Sequence, residues 1–140
     1  MSAEGGEELQ RLILELNLLQ SYAENVQRTI EGLAAALSEN RIVRSELSEM
    51  KESVEPRNVL VPLGPAVFVR AGITDFSRVL LNIGAGIYRD VSVEEALSRL
   101  EEYEKNLEKT IANLQSNLAQ ILRRMQEIQL QVEKLQKKQQ

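Results

Sequence analysis

Two long stripes of apolar residues, spaced alternately three and four positions apart, constrain the fold of this chain more than any other feature. The first stripe is unbroken from Leu9 to Leu37, and the second runs from Val93 to Leu135 with Glu104 as its one exception. This spacing keeps one face of a helix turned toward a partner helix and is typical of a coiled coil. The sequence therefore predicts two long helices that bury their stripes.

Helix boundaries are indicated by local signals. The first helix must end before Pro56, because the residue that precedes a proline disfavours helical geometry. Ser92 and Glu95 have the spacing of a capping box, in which each side chain bonds to the other residue's backbone N–H. We therefore predict helices over residues 8–55 and 92–138.

The first stripe changes character after Leu37. Its strict continuation falls on the polar residues Asn40 and Arg44, whereas a shifted stripe passes through Val43 and Leu47. A shift of this kind resembles a three-residue stammer, which overwinds a coiled coil locally. We expect such overwinding near Asn40.

Neither predicted helix can bury its stripe alone. Two arms of similar length on either side of a compact insert favour an antiparallel hairpin within one chain. A parallel homodimer would bury the same stripes and remains an alternative at this stage.

The segment 58–91 reads as a small β unit. It contains four short runs rich in Val, Ile and Leu, separated by glycine- and proline-containing turn signals, and this pattern predicts two β-hairpins. Isolated hairpins are marginally stable and expose strand edges, so the unit should associate with other chains. The predicted subunit-interface residues are Val59, Leu60, Val61, Val67, Phe68, Val69, Val79, Leu80, Leu81, Ile83, Ile87 and Tyr88. The predicted fold class is therefore α+β, a long antiparallel coiled-coil hairpin joined by two β-hairpins.

Composition narrows the classes of function. With 17 basic and 21 acidic residues the net charge is -4, which argues against a general binder of nucleic acid or anionic membranes. The chain contains neither Cys nor His, so disulfides, thiolate zinc sites and the commonest general base are absent. We expect no cofactor, no metal site and no catalysis. An N-terminus without a basic or apolar segment, and the lack of an apolar run near ~18 residues, predict a cytoplasmic protein.

The stretch 82–90, NIGAGIYRD, raises the one question about nucleotide binding. Gly84 and Gly86 could form a phosphate-binding loop between a strand and a helix. However, the dinucleotide motif needs a third glycine where Arg89 stands, and a P-loop needs Lys where Ile87 follows. These glycines are better explained by a tight turn between strands, or by the close approach of a neighbouring backbone.

Taken together, the central block resembles the alpha-class subunit of prefoldin. The segments VPLG, FV, IGAGIY and SVEEAL follow in order between two matched coiled-coil arms, and the resemblance covers essentially the whole chain. Two hairpins fit the alpha class. The resemblance implies one prefoldin-like domain over residues 1–140, of archaeal type.

The same resemblance implies an ATP-independent molecular chaperone. In this family two alpha and four beta subunits form a hexamer around a double β-barrel platform. Six coiled-coil arms capture unfolded client proteins at their tips and transfer them to a group II chaperonin.

Client contact is expected near the chain ends, which meet at the tip of an antiparallel hairpin. The candidate residues are Leu9, Leu12, Ile13, Leu14, Leu16, Ile128, Leu130, Val132 and Leu135. Ile13, Leu14 and Leu130 are the most informative of these, because they lie outside the coiled-coil seam. A structural coiled-coil adapter that binds one specific folded partner is the alternative function, and it would differ in not protecting unrelated denatured proteins.

Overall fold

The computed structural model describes residues 3–138 and contains two helices and four strands. Residues 1, 2, 139 and 140 of the predicted domain lie outside the described residues. In chain order the elements are α1 (Ala3–Glu52), β1 (Arg57–Pro62), β2 (Phe68–Ile73), β3 (Arg78–Gly84), β4 (Ile87–Ser92) and α2 (Val93–Lys138). Two long helices that flank two hairpins confirm the predicted α+β class.

The ends of the helices differ slightly from the prediction. α1 begins at Ala3 rather than at residue 8 and ends at Glu52 rather than at residue 55. The N–H of Ser53 donates to the carbonyl of Met50 at 3.1 Å, a bond of the 3₁₀ type that tightens the last turn. The helix therefore stops before the residue next to Pro56, where its geometry is already disfavoured.

The start of α2 has one of the two hydrogen bonds of the predicted capping box. Ser92 Oγ accepts a hydrogen bond from the N–H of Glu95 at 3.1 Å, and the Glu95 carboxylate lies 3.4 Å from Arg89 Nη2. The backbone N–H of Glu94 holds the pKa of its own carboxyl below the usual range, and the positive charge of Lys51 acts in the same direction. Acidic groups are stabilised here because the N-terminus of a helix carries partial positive charge.

The chain divides into two compact units, which are described separately. The first unit combines the part of α1 up to Ala36 with the part of α2 from Leu107 onward. The second unit is Leu37–Asn106, which includes both hairpins.

In the first unit the two apolar stripes pack against each other. Its buried cluster consists of Ala23, Val26, Ile30 and Ile121, and it is surrounded by Leu19, Ile111, Leu114, Leu118 and Met125. Glu15 Oε1 lies 3.1 Å from Arg124 Nε, so an early position of α1 meets a late position of α2. This pairing is antiparallel, as predicted.

In the second unit the ion pairs give the same direction. Arg41 contacts Glu104, whereas Lys51, ten residues further along α1, contacts Glu94, ten residues earlier in α2. The helices are therefore antiparallel here too, and each stripe is buried within one chain rather than against a parallel copy.

The stripe does not shift at Asn40, where the stammer was predicted. Asn40 is only 6% exposed and keeps its place in the seam, while Val43, which the shifted stripe required to be buried, is exposed. The strict register persists as far as Arg44 because its polar members there have partners. Beyond it, Met50 of the shifted stripe is half-buried and Lys51 of the strict stripe is exposed. Asn40 Nδ2 donates to the carbonyl of Leu100 at 2.9 Å, and Arg44 pairs with Glu104. The polar exceptions in the two stripes therefore meet each other.

The four strands form two separate antiparallel hairpins, as predicted. β1 pairs with β2, with Val61 opposite Val69, and β3 pairs with β4, with Val79 opposite Val91. A bulge between Asn82 and Gly84 interrupts the second ladder.

The glycine-containing stretch forms the turn between β3 and β4. Ala85 and Gly86, the two residues between the strands, have φ values of 52° and 72°, which is the type I′ geometry favoured in two-residue hairpin loops. Gly84 has a φ of 111° and donates its N–H to Asn82 Oδ1 at 2.9 Å. A Cβ on Gly84 or Gly86 would meet nothing within 4 Å. The glycines thus serve the turn conformation, one of the two explanations offered by the sequence, and not a close approach within this chain.

Candidate functional site

Two groups of exposed apolar side chains are the candidate functional surfaces. One lies on the helices of the first unit and the other on the hairpins of the second. Among residues 3–138, no group of three or more His, Cys, Asp or Glu side chains could hold a metal ion. Over the same residues, neither helix is long and apolar enough to cross a membrane.

The nine predicted client-binding residues separate by burial. Leu12 and Ile128 are buried in the seam, and Leu9, Leu16, Val132 and Leu135 are half-buried. Ile13, Leu14 and Leu130 are exposed, with Leu14 at 60% and Leu130 at 58%. The three residues that lie off the seam are therefore the ones that a bound chain could contact without opening the coil.

Three further apolar residues of this unit are exposed and were not among the predicted client-binding set. Leu18 and Tyr22 follow Leu14 at successive four-residue intervals on α1, and Leu122 is exposed on α2. Residues four apart lie side by side on a helix surface, so Leu14, Leu18 and Tyr22 form a continuous apolar ridge, which we call the α1 ridge. The four-residue interval outside the seam was the signal that could have found it.

An ion pair joins the two helices in this unit. Arg124 contacts Glu15 and Glu127, and its hydrogen bond to Glu15 is the main cause that raises the pKa of the guanidinium above its usual value. Arg124 thus keeps its charge and ties α2 to α1 between buried Leu12 and the core cluster. An exposed pair of this kind adds little to stability, so packing of the seam carries most of it.

The predicted interface residues on the hairpins are mostly uncovered. Val59, Val79 and Leu81 are half-buried, and the other nine are exposed, namely Leu60, Val61, Val67, Phe68, Val69, Leu80, Ile83, Ile87 and Tyr88. Soluble monomers rarely leave so many large apolar side chains on one small element uncovered.

Both faces and both edges of the first hairpin are available. Val61 lies opposite Val69 on one face, and Pro62 lies opposite Phe68 on the other. Because each sheet has only two strands, each strand has one edge without a strand partner among the described residues. Unpaired backbone donors and acceptors next to exposed apolar side chains are the features through which sheets add strands from other chains.

Comparison with known proteins gives consistent matches over most of the chain. A family model described as "Prefoldin subunit" matches residues 19–138. The prefoldin subunit alpha of Methanopyrus kandleri is 37% identical over 72% of this chain, and the match spans 64% of that protein's length. The prefoldin subunit alpha of Pyrococcus horikoshii is 32% identical over 74% of this chain and 73% of that protein.

A solved structure is similar in fold. The filamentous PFD from Methanocaldococcus jannaschii, determined by cryo-EM, matches with a TM-score of 0.71 and 23% sequence identity. The match covers 81% of this chain and 94% of that one.

Proposed function

Because this chain belongs to the prefoldin family of molecular chaperones, we propose that it holds unfolded proteins on exposed apolar residues near its chain ends, without ATP. We further propose that it works in the cytoplasm and passes its clients to a group II chaperonin. The observation that carries the proposal is the exposure of Ile13, Leu14 and Leu130 beside the buried seam residues Leu12 and Ile128.

The chemistry of this surface suits many different clients. Hydrophobic attraction has no preferred direction, so an apolar side chain can cover any similar group of an unfolded chain. Burying one leucine completely gives about 1.5–3 kcal/mol, and these side chains are already partly covered. A few such contacts give a free energy of several kcal/mol before ordering costs, which corresponds to weak and reversible holding. Release of the client to another chaperone then requires no ATP hydrolysis.

Assembly is proposed to take place through the hairpins. The exposed residues of β1–β4 would be covered by strands of neighbouring subunits, in a hexamer of two alpha and four beta-class subunits around a shared β-barrel platform. The apolar faces and unpaired strand edges described above support this arrangement. The type I′ turn at Ala85 and Gly86 gives a structural role to the residues that most resembled a nucleotide site.

Client holding can be tested with substitutions that retain helix propensity. Ile13→Gln, Leu14→Gln and Leu130→Gln, combined in one variant and assembled with a beta-class subunit, should suppress aggregation of unrelated denatured proteins less effectively in the absence of ATP. Ile42→Gln is the matched control, because Ile42 is also 60% exposed on α1 but lies in the second unit. Equal protection by both variants would contradict the proposed surface. Failure of the unmodified assembly to protect more than one denatured protein would favour a structural adapter.

Assembly can be tested at Val69. Val69→Asp would place a charge on the face that Val61 shares, where burial against another subunit would be strongly unfavourable. The variant should give a lower assembly mass by light scattering, with its helical circular dichroism largely retained. An unchanged assembly would count against the hairpins as the interface.

A further inference from the structure

At the seam of the second unit, a group of polar residues makes contacts from one helix to the other. Asn40, Arg41 and Arg44 lie on α1, and Glu104 lies on α2. We call these four residues the polar layer. The Glu104 side chain is only 12% exposed and lies 2.6 Å from Arg41 Nε, and its other oxygen contacts Arg44.

Every contact of the polar layer depends on one alignment of the helices. Asn40 is buried and donates to the carbonyl of Leu100, which stands 60 residues away in the chain. No side-chain nitrogen or oxygen buried among the described residues lacks a hydrogen-bond partner, so the layer is satisfied as it stands. Burying polar groups is unfavourable unless they are paired, whereas an apolar seam would tolerate many alignments.

We propose that the polar layer selects the antiparallel pairing of α1 with α2 in this register, and excludes pairing with other copies of the chain. A single buried polar residue in a coiled coil is known to specify register and partner at a cost in stability. Here a carboxylate on one helix and two guanidinium groups on the other specify the register and the partner.

Alternative alignments separate these partners. A slip of one heptad moves seven residues, or about 10 Å along the helix. In one direction it sets Arg44 against Leu97 and Glu104 against Leu37, both of which are seam residues. The opposite slip sets Arg44 against Ile111, an apolar seam residue, while Glu104 meets Lys51. Each slip therefore leaves Arg44 beside an apolar side chain, and such burial disfavours the slipped states.

A parallel pairing of two copies is opposed by like charges. Identical seam positions face each other in a parallel dimer, so Arg44 would meet Arg44, and in a pair of α2 helices Glu104 would meet Glu104. The two stripes taken alone would allow such a dimer. The polar layer therefore favours pairing within one chain, because that pairing brings opposite charges into contact.

Cysteine cross-linking can measure the register, because the natural chain contains no cysteine. Ser45, Lys51, Glu94 and Glu101 line one groove between the helices, and Lys51 Nζ lies 3.5 Å from Glu94 Oε1. Lys51→Cys with Glu94→Cys therefore reports the native register to a short thiol cross-linker. Lys51→Cys with Glu101→Cys and Ser45→Cys with Glu94→Cys report slips in the two directions. Lys51→Cys alone reports pairing between chains.

These reporters are compared with and without the polar layer in the full chain. In the variant Asn40→Leu/Arg44→Leu/Glu104→Leu, the melting temperature should stay the same or rise, while slipped or interchain products grow to roughly a tenth or more of the cross-linked chain. The unmodified background should give the native product almost exclusively. A variant that still yields only the native product would overturn the proposal.

Charge reversal provides a second test if the apolar variant does not fold. Glu104→Arg should reduce native cross-linking, because three cations would then share the layer. Adding Arg41→Glu and Arg44→Glu should restore native cross-linking by rebuilding opposite charges in the same places. Native cross-linking that is unaffected by Glu104→Arg, or not restored by the triple reversal, would contradict selection by charge.

Discussion

Ile128 and Leu130 were both predicted to contact clients, and their different burial leads to a quantitative prediction. Ile128 is fully buried in the first unit, whereas Leu130 is 58% exposed. Ile128→Ala removes about three carbon groups worth roughly 0.8 kcal/mol each in transfer from water. A residual cavity adds to this cost, so the free energy of unfolding should fall by about 3 kcal/mol, within the range known for such changes.

For Leu130→Ala the same reasoning gives a small effect. Less than half of the side chain is covered, so the transfer contribution scales to about 1 kcal/mol, and no closed cavity is left. Ala is also a slightly better helix former than Leu, which offsets part of the loss. Guanidinium unfolding followed by circular dichroism at 222 nm measures both values, with Ile128→Val as an intermediate control at about 0.5–1.5 kcal/mol.

Client protection should show the opposite order. Leu130→Ala should weaken the suppression of aggregation, and Ile128→Val should leave it nearly unchanged, because Ile128 is inaccessible while the coil is closed. Equal losses of stability for Ile128→Ala and Leu130→Ala would refute the separation of seam packing from client contact.

Three further predictions concern the local structure. Ala85→Gly should raise the free energy of unfolding by up to about 1 kcal/mol in denaturant titrations, since Ala85 has a φ of 52° and left-handed geometry costs a residue with a side chain about 1–2 kcal/mol; a loss of stability would contradict the strained turn. Ser92→Ala should lower the free energy of unfolding by about 1 kcal/mol, because it removes the acceptor for the Glu95 N–H. Ser92→Asp should retain most of that stability. Hydrogen bonds from the hydroxyl and the backbone N–H of Ser77 hold the pKa of Asp75 below its ordinary value of 3.8. This contribution to stability is present above pH 3.8 and is lost as the pH falls below that value. Acid titration of Asp75→Asn should therefore show a shallower loss of stability than that of the natural chain. Identical acid profiles of the two proteins would argue against a stabilising Asp75 carboxylate.

The regular elements could be predicted because their signals are local. The three-four spacing of apolar residues gave both helices, and the short β-branched runs gave both hairpins. The turn at Gly84 and Gly86 was also accessible, since the residues around it excluded the phosphate-binding motifs. The ends of the helices moved by a few residues, and α1 ends early at Glu52 because the geometry before Pro56 disfavours a helix.

The environment of Asn40 could not be predicted in the same way. From sequence, a polar residue in an apolar stripe indicates either a break in the stripe or a buried group with a partner. The predicted stammer followed from interpreting Asn40 as a break in the stripe, with Val43 as the seam residue in its place. The partner, the carbonyl of Leu100, belongs to the other helix, and no local pattern near Asn40 reveals it.

The candidate client surface was partly predictable. Separating seam from off-seam positions distinguished Ile13, Leu14 and Leu130 from residues that turned out to be more deeply covered. Leu18 and Tyr22 were missed because only residues nearest the chain ends were taken as client-binding, whereas the α1 ridge continues from Leu14 at four-residue intervals.

By itself, the sequence determined the two helices, the two hairpins, the turn between β3 and β4, and membership of a chaperone family, because periodicity, turn chemistry and motif order act over neighbouring residues. Tertiary structure alone decided which apolar side chains remain exposed and that Arg44 and Glu104, the exceptions in the two stripes, are partners. The physical reason is that burial and ion pairing depend on the alignment of segments far apart in the chain, and many alignments satisfy the same apolar pattern.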